Sequence, residues 1–238
     1  MKSKTAQISL IGLLWLGGSA ALSQLVSPWT SHATSVHSQG LAGFFATTGG
    51  WANLAADWFW LRANIAWETQ SEVAVRSWLQ LTLAAGGDSF YFQKNAARIL
   101  AYDLPAWRIA VEPDAPAAVH AEWRRVGAAE GLAIVLTTAG EDPVRWLEAG
   151  NLALYAGRDR QLAGAYFHRA AQLPGAPWHA GRIYAQLLIE QGRRHEALAW
   201  LREWLPRIPP DDPLAHRELV GERLAELELE LRSLGEPL

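Results

Sequence analysis

Two similar segments follow each other between Asp142 and Pro213, and this repeat constrains the fold more than any other feature of the chain. In each segment an apolar stretch with helical spacing leads to a glycine, after which a second such stretch begins. The two copies are offset by about 34 or 35 residues, a period typical of stacked helical hairpins. Superposing them pairs Gly157 with Gly192, Ala163 with Ala197, Phe167 with Leu201, and Ala170 with Trp204.

A single helical hairpin cannot bury its own apolar face, so repeated hairpins stack and each covers the next. We expect small side chains where the two helices of one hairpin cross closely, and bulky ones where neighbouring hairpins interdigitate. The small set is Ala149, Gly150, Ala163, Ala185 and Ala197, and the bulky set is Tyr166, Phe167, Trp200, Leu201 and Trp204. Because burying one bulky side chain contributes on the order of 1.5–3 kcal/mol, the bulky set should dominate the stability of the stack.

This pattern resembles that of tetratricopeptide repeat (TPR) proteins. The resemblance covers Pro143 to Pro210 well and Trp51 to Gly140 loosely, and the first copy has one extra residue in its internal turn. It implies an all-α fold, a right-handed superhelical stack of antiparallel helix pairs of the α-solenoid type. It also implies a concave groove, lined by the first helix of each hairpin, that binds a peptide or a partner helix.

Three candidate partner-binding residues come from this resemblance. Asparagine is frequent at one groove-facing position of the family, to which Asn151 and Gln186 correspond, and Asn64 is a weaker match. The basic clamp that some family members use to hold a C-terminal carboxylate is not evident in the sequence. The resemblance therefore implies a protein or peptide partner without identifying it.

Two further candidates come from the first helix of the body. Asp57 is an ionisable residue on a strongly apolar helix, where it is either a polar anchor in the groove or the structural partner of Arg62 or Arg98. Trp60 is either a contact for a ligand or part of the core.

The residues from 51 to 140 predict degenerate helical hairpins. Ala52–Glu68 carries an apolar stripe at helical spacing, and a second helix, capped by Ser71, ends at Gly86-Gly87. A third helix, Phe90 to Tyr102, is expected to end at Asp103-Leu-Pro105, and another spans about Ala117 to Thr138. The stripe on the first helix consists of Leu54, Trp58, Leu61 and Ile65, widened by Phe59 and Trp67.

The two clear repeats occupy residues 141–212, and a last helix follows them. Asp142-Pro143 and Asp212-Pro213 both combine a capping carboxylate with proline at the first helical position. The second pair predicts a helix from Pro213 to about Leu234 within a C-terminal segment, 213–238. Its apolar stripe either closes the end of the stack or mediates self-assembly, and the oligomeric state is left open; the stripe is Val220, Leu224, Leu227, Leu231 and Leu234.

Residues 1–26 have the pattern of an export signal. Lys2 and Lys4 precede an almost continuous apolar run from Ile8 to Leu22. One alternative is cleavage near Ser19-Ala20-Ala21, which would release a secreted or periplasmic protein. The other, which we favour, is retention as an N-terminal hydrophobic helix that anchors the chain in the membrane, with the bulk of the chain on the periplasmic side. Residues 27–50, rich in Ser, Thr, His and Gly, predict a linker.

Charge and motif content exclude several functional classes. Without Lys2 and Lys4, nineteen basic and twenty-four acidic residues remain, and such a mildly acidic body does not favour nucleic acid as a partner. The chain has no cysteine, and His32 and His37 in the linker are predicted to be solvated rather than metal-bound. We find no nucleophile elbow, phosphate loop, dinucleotide fingerprint or paired-histidine metal motif. We therefore expect no cofactor, no metal and no catalytic residue.

The sequence thus predicts a non-catalytic TPR-like scaffold that is tethered at a membrane and binds other proteins or peptides in its groove. The alternative is a small exported enzyme or ligand-binding protein with a site near residues 57–140.

Overall fold

The computed structural model describes residues 51–235. The predicted export segment and linker, residues 1–26 and 27–50, lie outside the described residues. Within residues 51–235 the chain consists of helices and contains no strand, which confirms the all-α prediction. It divides into two compact units, of which the first ends at Gly87 and the second begins at Asp88. None of the described helices is both long and apolar enough to cross a bilayer.

The described part of the first unit is a pair of helices, α1 (Trp51–Glu68) and α2 (Glu72–Gly86). The short connection between them includes Gln70, which has a left-handed backbone with φ of 50°. The Ser71 side chain, predicted to cap α2, makes no capping hydrogen bond. Small side chains dominate the buried face of α1, as close helix packing requires. The buried residues are Ala56, Phe59, Ala63 and Ala66 on α1, and Val75, Leu79, Thr82 and Ala85 on α2.

The apolar stripe predicted on α1 is not its buried face. Leu54 and Leu61 are both 61% exposed, and Ile65 is 51% exposed. Of the residues expected to widen the stripe, Phe59 is buried and Trp67 is exposed. The helix is therefore apolar on two sides, with the alanine side turned inward and the bulkier side turned outward.

The second unit begins with a helix that bends without breaking. α3 (Phe90–Arg98) continues through a π-helical turn (Ile99–Asp103) into α4 (Leu104–Val111), and α5 (Ala117–Thr137) packs against all three segments. The expected stop at Asp103-Leu-Pro105 is wrong. The π-helical turn is wider than an α-helical one, and the Leu104 N–H donates to the carbonyl of Ile99. Pro105 then occupies an early position of α4, where its missing N–H is tolerated.

The two repeats form the next four helices. They are α6 (Pro143–Asn151), which continues into a π-helical turn (Leu152–Ala156), α7 (Arg160–Gln172), α8 (Trp178–Glu190) and α9 (Arg194–Trp204). Short 3₁₀ turns at Leu205–Arg207 and Pro213–Ala215 lead to α10 (Arg217–Ser233). Helices α5 to α10 pack in chain order, each one against the helices before and after it.

The start of α6 is as predicted, whereas the last helix begins later. Oδ1 of Asp142 accepts a hydrogen bond from the Val144 N–H at 2.9 Å, which confirms the capping role. Oδ1 of Asp212 accepts from Leu214 at 2.9 Å but opens only a 3₁₀ turn. His216 follows with a left-handed backbone, φ of 49°, so α10 starts one residue further on. Within the predicted stripe of α10, Val220, Leu227 and Leu231 are buried, Leu224 is half-buried and Leu234 is exposed.

Each repeat contains one glycine against which an aromatic ring packs. A Cβ on Gly150 would lie 2.9 Å from three carbon atoms of the fully buried Phe167 ring. A Cβ on Gly181 would overlap the buried indole of Trp204 and lie 2.6 Å from its Nε1. Phe167 therefore packs within its own hairpin as well as against Leu187 of the next, whereas the sequence predicted only the contact between hairpins.

Candidate functional site

The three predicted site residues of the first unit lie on α1. Asp57 is exposed and, within the described range, forms no ion pair. Arg62, one of its predicted partners, instead lies over the indole rings of Trp58 and Trp78, at 6.0 and 5.4 Å from the ring centroids. Trp60 and Asn64 are half-buried, and the Asn64 amide donates to the carbonyl of Trp60 at 2.7 Å, so it satisfies its own helix.

The two predicted site residues of the second unit lie on the first helices of the two repeats. Asn151, at the end of α6, is half-buried, and its backbone carbonyl accepts a hydrogen bond from the Tyr102 hydroxyl at 3.4 Å. Gln186, on α8, is exposed and donates to Glu190 at 3.2 Å. Both side chains are therefore at least partly exposed to solvent, and they occupy equivalent positions in the two repeats.

An ion pair links α3 to α6, the first helix of the first repeat. Arg98, the other predicted partner of Asp57, donates from Nε and Nη2 to the two carboxylate oxygens of Glu148 at 2.6 and 2.7 Å. The Glu148 carboxylate is buried, whereas Arg98 is about half exposed. The hydrogen bonds to Glu148 raise the pKa of Arg98, and burial raises the pKa of the neighbouring Tyr102 hydroxyl. A carboxylate held in this way by a bidentate guanidinium fixes the register between α3 and α6.

A second arginine, Arg145, is buried in the same interface. Its guanidinium donates to Gln93, to the Thr138 hydroxyl at 2.5 Å and to the carbonyl of Asp88 at 2.9 Å. It also lies 4.8 Å above the centre of the Phe90 ring. Because these acceptors and the ring surround the guanidinium, we interpret Arg145 as a structural residue and not as a binding one.

A cleft of about 280 Å³ opens between α7 and α8, on the side of α8 that carries Tyr184 and Leu188 and roughly opposite Gln186. It exists because Gly164 and Ala165 leave space opposite the ring of Tyr184: a Cβ on Gly164 would still be 4.0 Å from that ring. Leucines form its floor, aromatic rings form one wall, and amide and guanidinium groups form its rim. The lining residues are Gln161, Gly164, Ala165, His168, Tyr184, Leu187, Leu188, Gln191 and Arg193.

His168 forms part of the aromatic wall of this cleft. Its imidazole stacks on Tyr184 with ring centres 4.6 Å apart and meets the edge of Trp200 at 5.1 Å. Its Nε2 lies 3.1 Å from the amide nitrogen of Gln172, which can donate to the neutral ring. Burial lowers the pKa of His168, so the neutral form is favoured.

The rim of the cleft is fixed by contacts between the helices. Gln191 donates to the carbonyl of Arg160 at 3.2 Å, and the Arg160 guanidinium pairs with Glu190 at 3.2 Å. Arg193 donates to both carboxylate oxygens of Glu196 at 2.7 and 2.6 Å. The cleft is thus an apolar recess with a polar and charged edge, suited to one apolar side chain of a peptide.

This cleft was not predicted from the sequence. Its one available signal was the pair of small residues Gly164-Ala165 in the middle of a helix, which leaves a gap only when a neighbouring helix supplies the opposite wall. No group of three or more histidine, aspartate and glutamate side chains in residues 51–235 is arranged to hold a metal ion. Comparison of the chain with protein-family models, with curated proteins and with solved structures finds no match.

Proposed function

We propose that this chain is a non-catalytic scaffold of the TPR-like α-solenoid type that binds a protein or peptide partner. The observation that carries the proposal is the packing of α5 to α10 in chain order, each helix against its neighbours. Each of the two hairpins also has a helical glycine packed closely against an aromatic ring, Gly150 against Phe167 and Gly181 against Trp204, although the repeat alignment does not pair these positions. Stacked hairpins of this kind present extended surfaces rather than one enclosed pocket.

The cleft between α7 and α8 supplies the anchoring point in this proposal. A partner segment would place one apolar side chain between Leu187 and the Tyr184 ring, and its backbone would meet the amides of Gln161 and Gln191. Gln186, predicted from the repeat alignment, is exposed on the other side of α8 and would contact a different part of the partner. A single apolar anchor with a polar rim is the usual arrangement of a peptide-binding hot spot.

The proposed scaffold is tethered at a membrane by the apolar run within residues 1–26, with the bulk of the chain on the exported side. The apolar run itself and the preceding lysines support this part of the proposal. Alkaline extraction of membranes from cells that produce the full chain tests it, because an anchored chain stays in the pellet. Release into the supernatant, with residues 1–26 absent by mass spectrometry, would support the secreted alternative instead.

The binding proposal can be tested by photocrosslinking in the native membrane. A photoreactive amino acid at Gln161, an exposed residue of the cleft lining, should give a discrete adduct with a partner, whereas the same group at Ala199, an exposed position of α9 outside the cleft lining, should not. Filling the cleft by Ala165→Trp should abolish the adduct from Gln161, and Ala199→Trp is the matched control. Equal adducts from both positions, or an adduct that survives Ala165→Trp, would contradict this binding site.

A further inference from the structure

The outward side of α1 is an apolar surface that is largely exposed, and only its Trp58 ring also meets Trp78 of α2, edge-on with ring centres 5.5 Å apart. Leu54, Trp58, Leu61 and Ile65 follow each other at intervals of four, three and four residues, and their exposed fractions are 61, 46, 61 and 51%. Trp51, 75% exposed, extends the same row by one turn toward the start of the helix. At about 1.5 Å per residue the row is roughly 20 Å long. We refer to these five residues as the α1 stripe.

The α1 stripe is set apart from the polar residues of the helix. At about 100° per residue, the stripe lies nearly opposite the alanine face that packs on α2, and the polar residues lie between these two faces. Those polar residues are Asn53, Asp57, Asn64 and Glu68 on one flank and Arg62, whose guanidinium lies over the Trp58 ring, on the other. A helix arranged in this way can lie on an apolar surface with α2 above it and its polar residues at the level of the rim. Contiguous apolar rows of this size mark interaction surfaces rather than ordinary solvent-exposed faces.

Two observations indicate a lipid bilayer as the occupant. The first is the position of α1 in the chain: fifty residues precede it, and they include the apolar run Ile8–Leu22. A linker from 27 to 50 is at most about 80 Å long when fully extended, so a chain anchored by that run keeps α1 within that distance of the bilayer surface. The second is composition, because the stripe combines two tryptophans, which prefer the membrane interface, with aliphatic side chains that enter the acyl region.

The charges of the first unit define the kind of attachment. Between Trp51 and Gly87 the acidic residues are Asp57, Glu68 and Glu72, and the basic ones are Arg62 and Arg76. Because this region carries no basic excess, attraction to anionic lipids cannot provide the binding. Attachment through the stripe must be apolar, and it should occur on uncharged phosphatidylcholine and persist at high salt.

We propose that α1 lies flat in the lipid interface, with the α1 stripe inserted into the bilayer and α2 on the side away from the lipid. This inference rests on the membrane tether of the proposed function. In addition to the tether, α1 holds the first unit against the bilayer surface, so that unit does not move freely at the end of the linker. The lipid surface is thus a second binding partner, separate from the protein partner.

The absence of cysteine from the whole chain allows a clean test. Full-length Leu61→Cys and Asp57→Cys variants are labelled with the same environment-sensitive fluorophore and reconstituted into phosphatidylcholine vesicles with or without brominated acyl chains. Both positions are exposed, so neither change enters the core, and circular dichroism checks the fold. Since an interfacial helix buries its apolar face by about 5–10 Å, brominated lipid should quench the label at Leu61 at least twofold more strongly than the label at Asp57. Quenching should be unchanged at high salt.

The other possible occupants give different results. If a second copy covers the stripe, the label at Leu61 escapes lipid quenching, and Leu61→Cys chains crosslink to each other. If the apolar run within residues 8–22 covers it, the label is protected from both lipid and crosslinking. The first result overturns the docking while leaving the tether intact, provided that the chain still floats with the vesicles. The second overturns both, because the same run cannot cover the stripe and anchor in the bilayer. A chain that does not float with vesicles at all overturns both the tether and the docking.

Discussion

The contact between Gly150 and Phe167 can be tested by changing both residues. Phe167 is fully buried, so Phe167→Ala removes a complete aromatic ring and leaves a cavity in the α6–α7 hairpin. Such substitutions cost about 3–5 kcal/mol, which in a chain of this size lowers the midpoint of thermal unfolding by roughly 6–20 °C. The cost should lie in the upper part of this range, because the ring packs against helices on two sides and the site cannot easily collapse.

Gly150→Ala should have effects of opposite sign in the two backgrounds. In the native chain the new methyl group would lie 2.9 Å from three ring carbons of Phe167, and overpacking of this kind costs about 1–3 kcal/mol. Three close contacts with a ring that cannot move place the cost above the gain of about 1 kcal/mol from replacing a helical glycine by alanine. In the Phe167→Ala background the ring is absent, so the gain remains and the same substitution should be stabilising.

The assay is urea unfolding of the four chains, native, two single variants and the double variant, followed by circular dichroism. The predicted coupling free energy between the two positions is about 1–3 kcal/mol. Ala165→Gly, at an exposed position of the same hairpin, is a control in both backgrounds for a general change in helix propensity. Equal effects of Gly150→Ala with and without the Phe167 ring would refute the close packing of ring on glycine.

Three further substitutions test other contacts of the second unit. Arg98→Ala should destabilise the chain by about 1–3 kcal/mol in urea unfolding, because it leaves the buried Glu148 carboxylate unpaired. The cost is lower than that of breaking a fully buried ion pair because Arg98 is about half exposed. An unchanged unfolding midpoint would contradict this role of Arg98. Asp159→Ala should cost about 1 kcal/mol, because Oδ1 of Asp159 caps α7 through the Leu162 N–H, and Asp159→Asn should retain most of that stability. For His168, burial lowers the pKa, so the unfolded state binds the proton more readily and stability should fall as the pH drops below about 6.5. His168→Phe should reduce this loss between pH 7 and 5, and His195→Gln should not; a pH dependence that is the same in all three chains would refute the role of His168.

The helix boundaries were predictable where the determining contacts are local. The Asp142-Pro143 start of α6 depends on a carboxylate and an N–H two residues apart, so the sequence alone contains the whole interaction. The stop expected at Pro105 was wrong because the course of the chain at this point does not depend on local contacts alone. A proline is a reliable terminator only if the helix before it is regular, and the π-helical turn Ile99–Asp103 is not visible in local propensities.

The extra residue of the first repeat has a related explanation. The sequence placed it in the turn between the helices, where Gly157 aligns with Gly192. Gly192 has the expected left-handed backbone, φ of 76°, but in the first repeat Arg158 adopts that conformation with φ of 56°. The π-helical turn Leu152–Ala156 lies just before it, and such turns accommodate one inserted residue within a helix. The alignment detected the insertion, and only the backbone shows how the helix absorbs it.

The candidate site was less predictable because it depends on register between helices. Asn151 and Gln186 follow from the repeat alignment, and they remain predictions of partner contact. The cleft required knowledge that Gly164 faces Tyr184 across the α7–α8 interface, two residues that are twenty positions apart in the chain. The Arg98–Glu148 pair spans fifty positions, and nothing near either residue in the sequence indicates the other.

On α1 the apolar periodicity could be predicted from the sequence, but the direction in which the apolar side faces could not. Periodicity locates an apolar row on a helix, but it does not distinguish the side that packs on the next helix from the side that contacts something else. Side-chain size does distinguish them, since a helix that packs closely on a neighbour uses small residues such as Ala56 and Ala63, which are fully buried. A helix with alanines on one side and Leu54 and Leu61 on the other therefore indicates two neighbours of different kinds, one rigid and close, the other soft enough to accommodate bulky side chains. A lipid bilayer has the second property, and the quenching of a label at position 61 measures whether it is that neighbour.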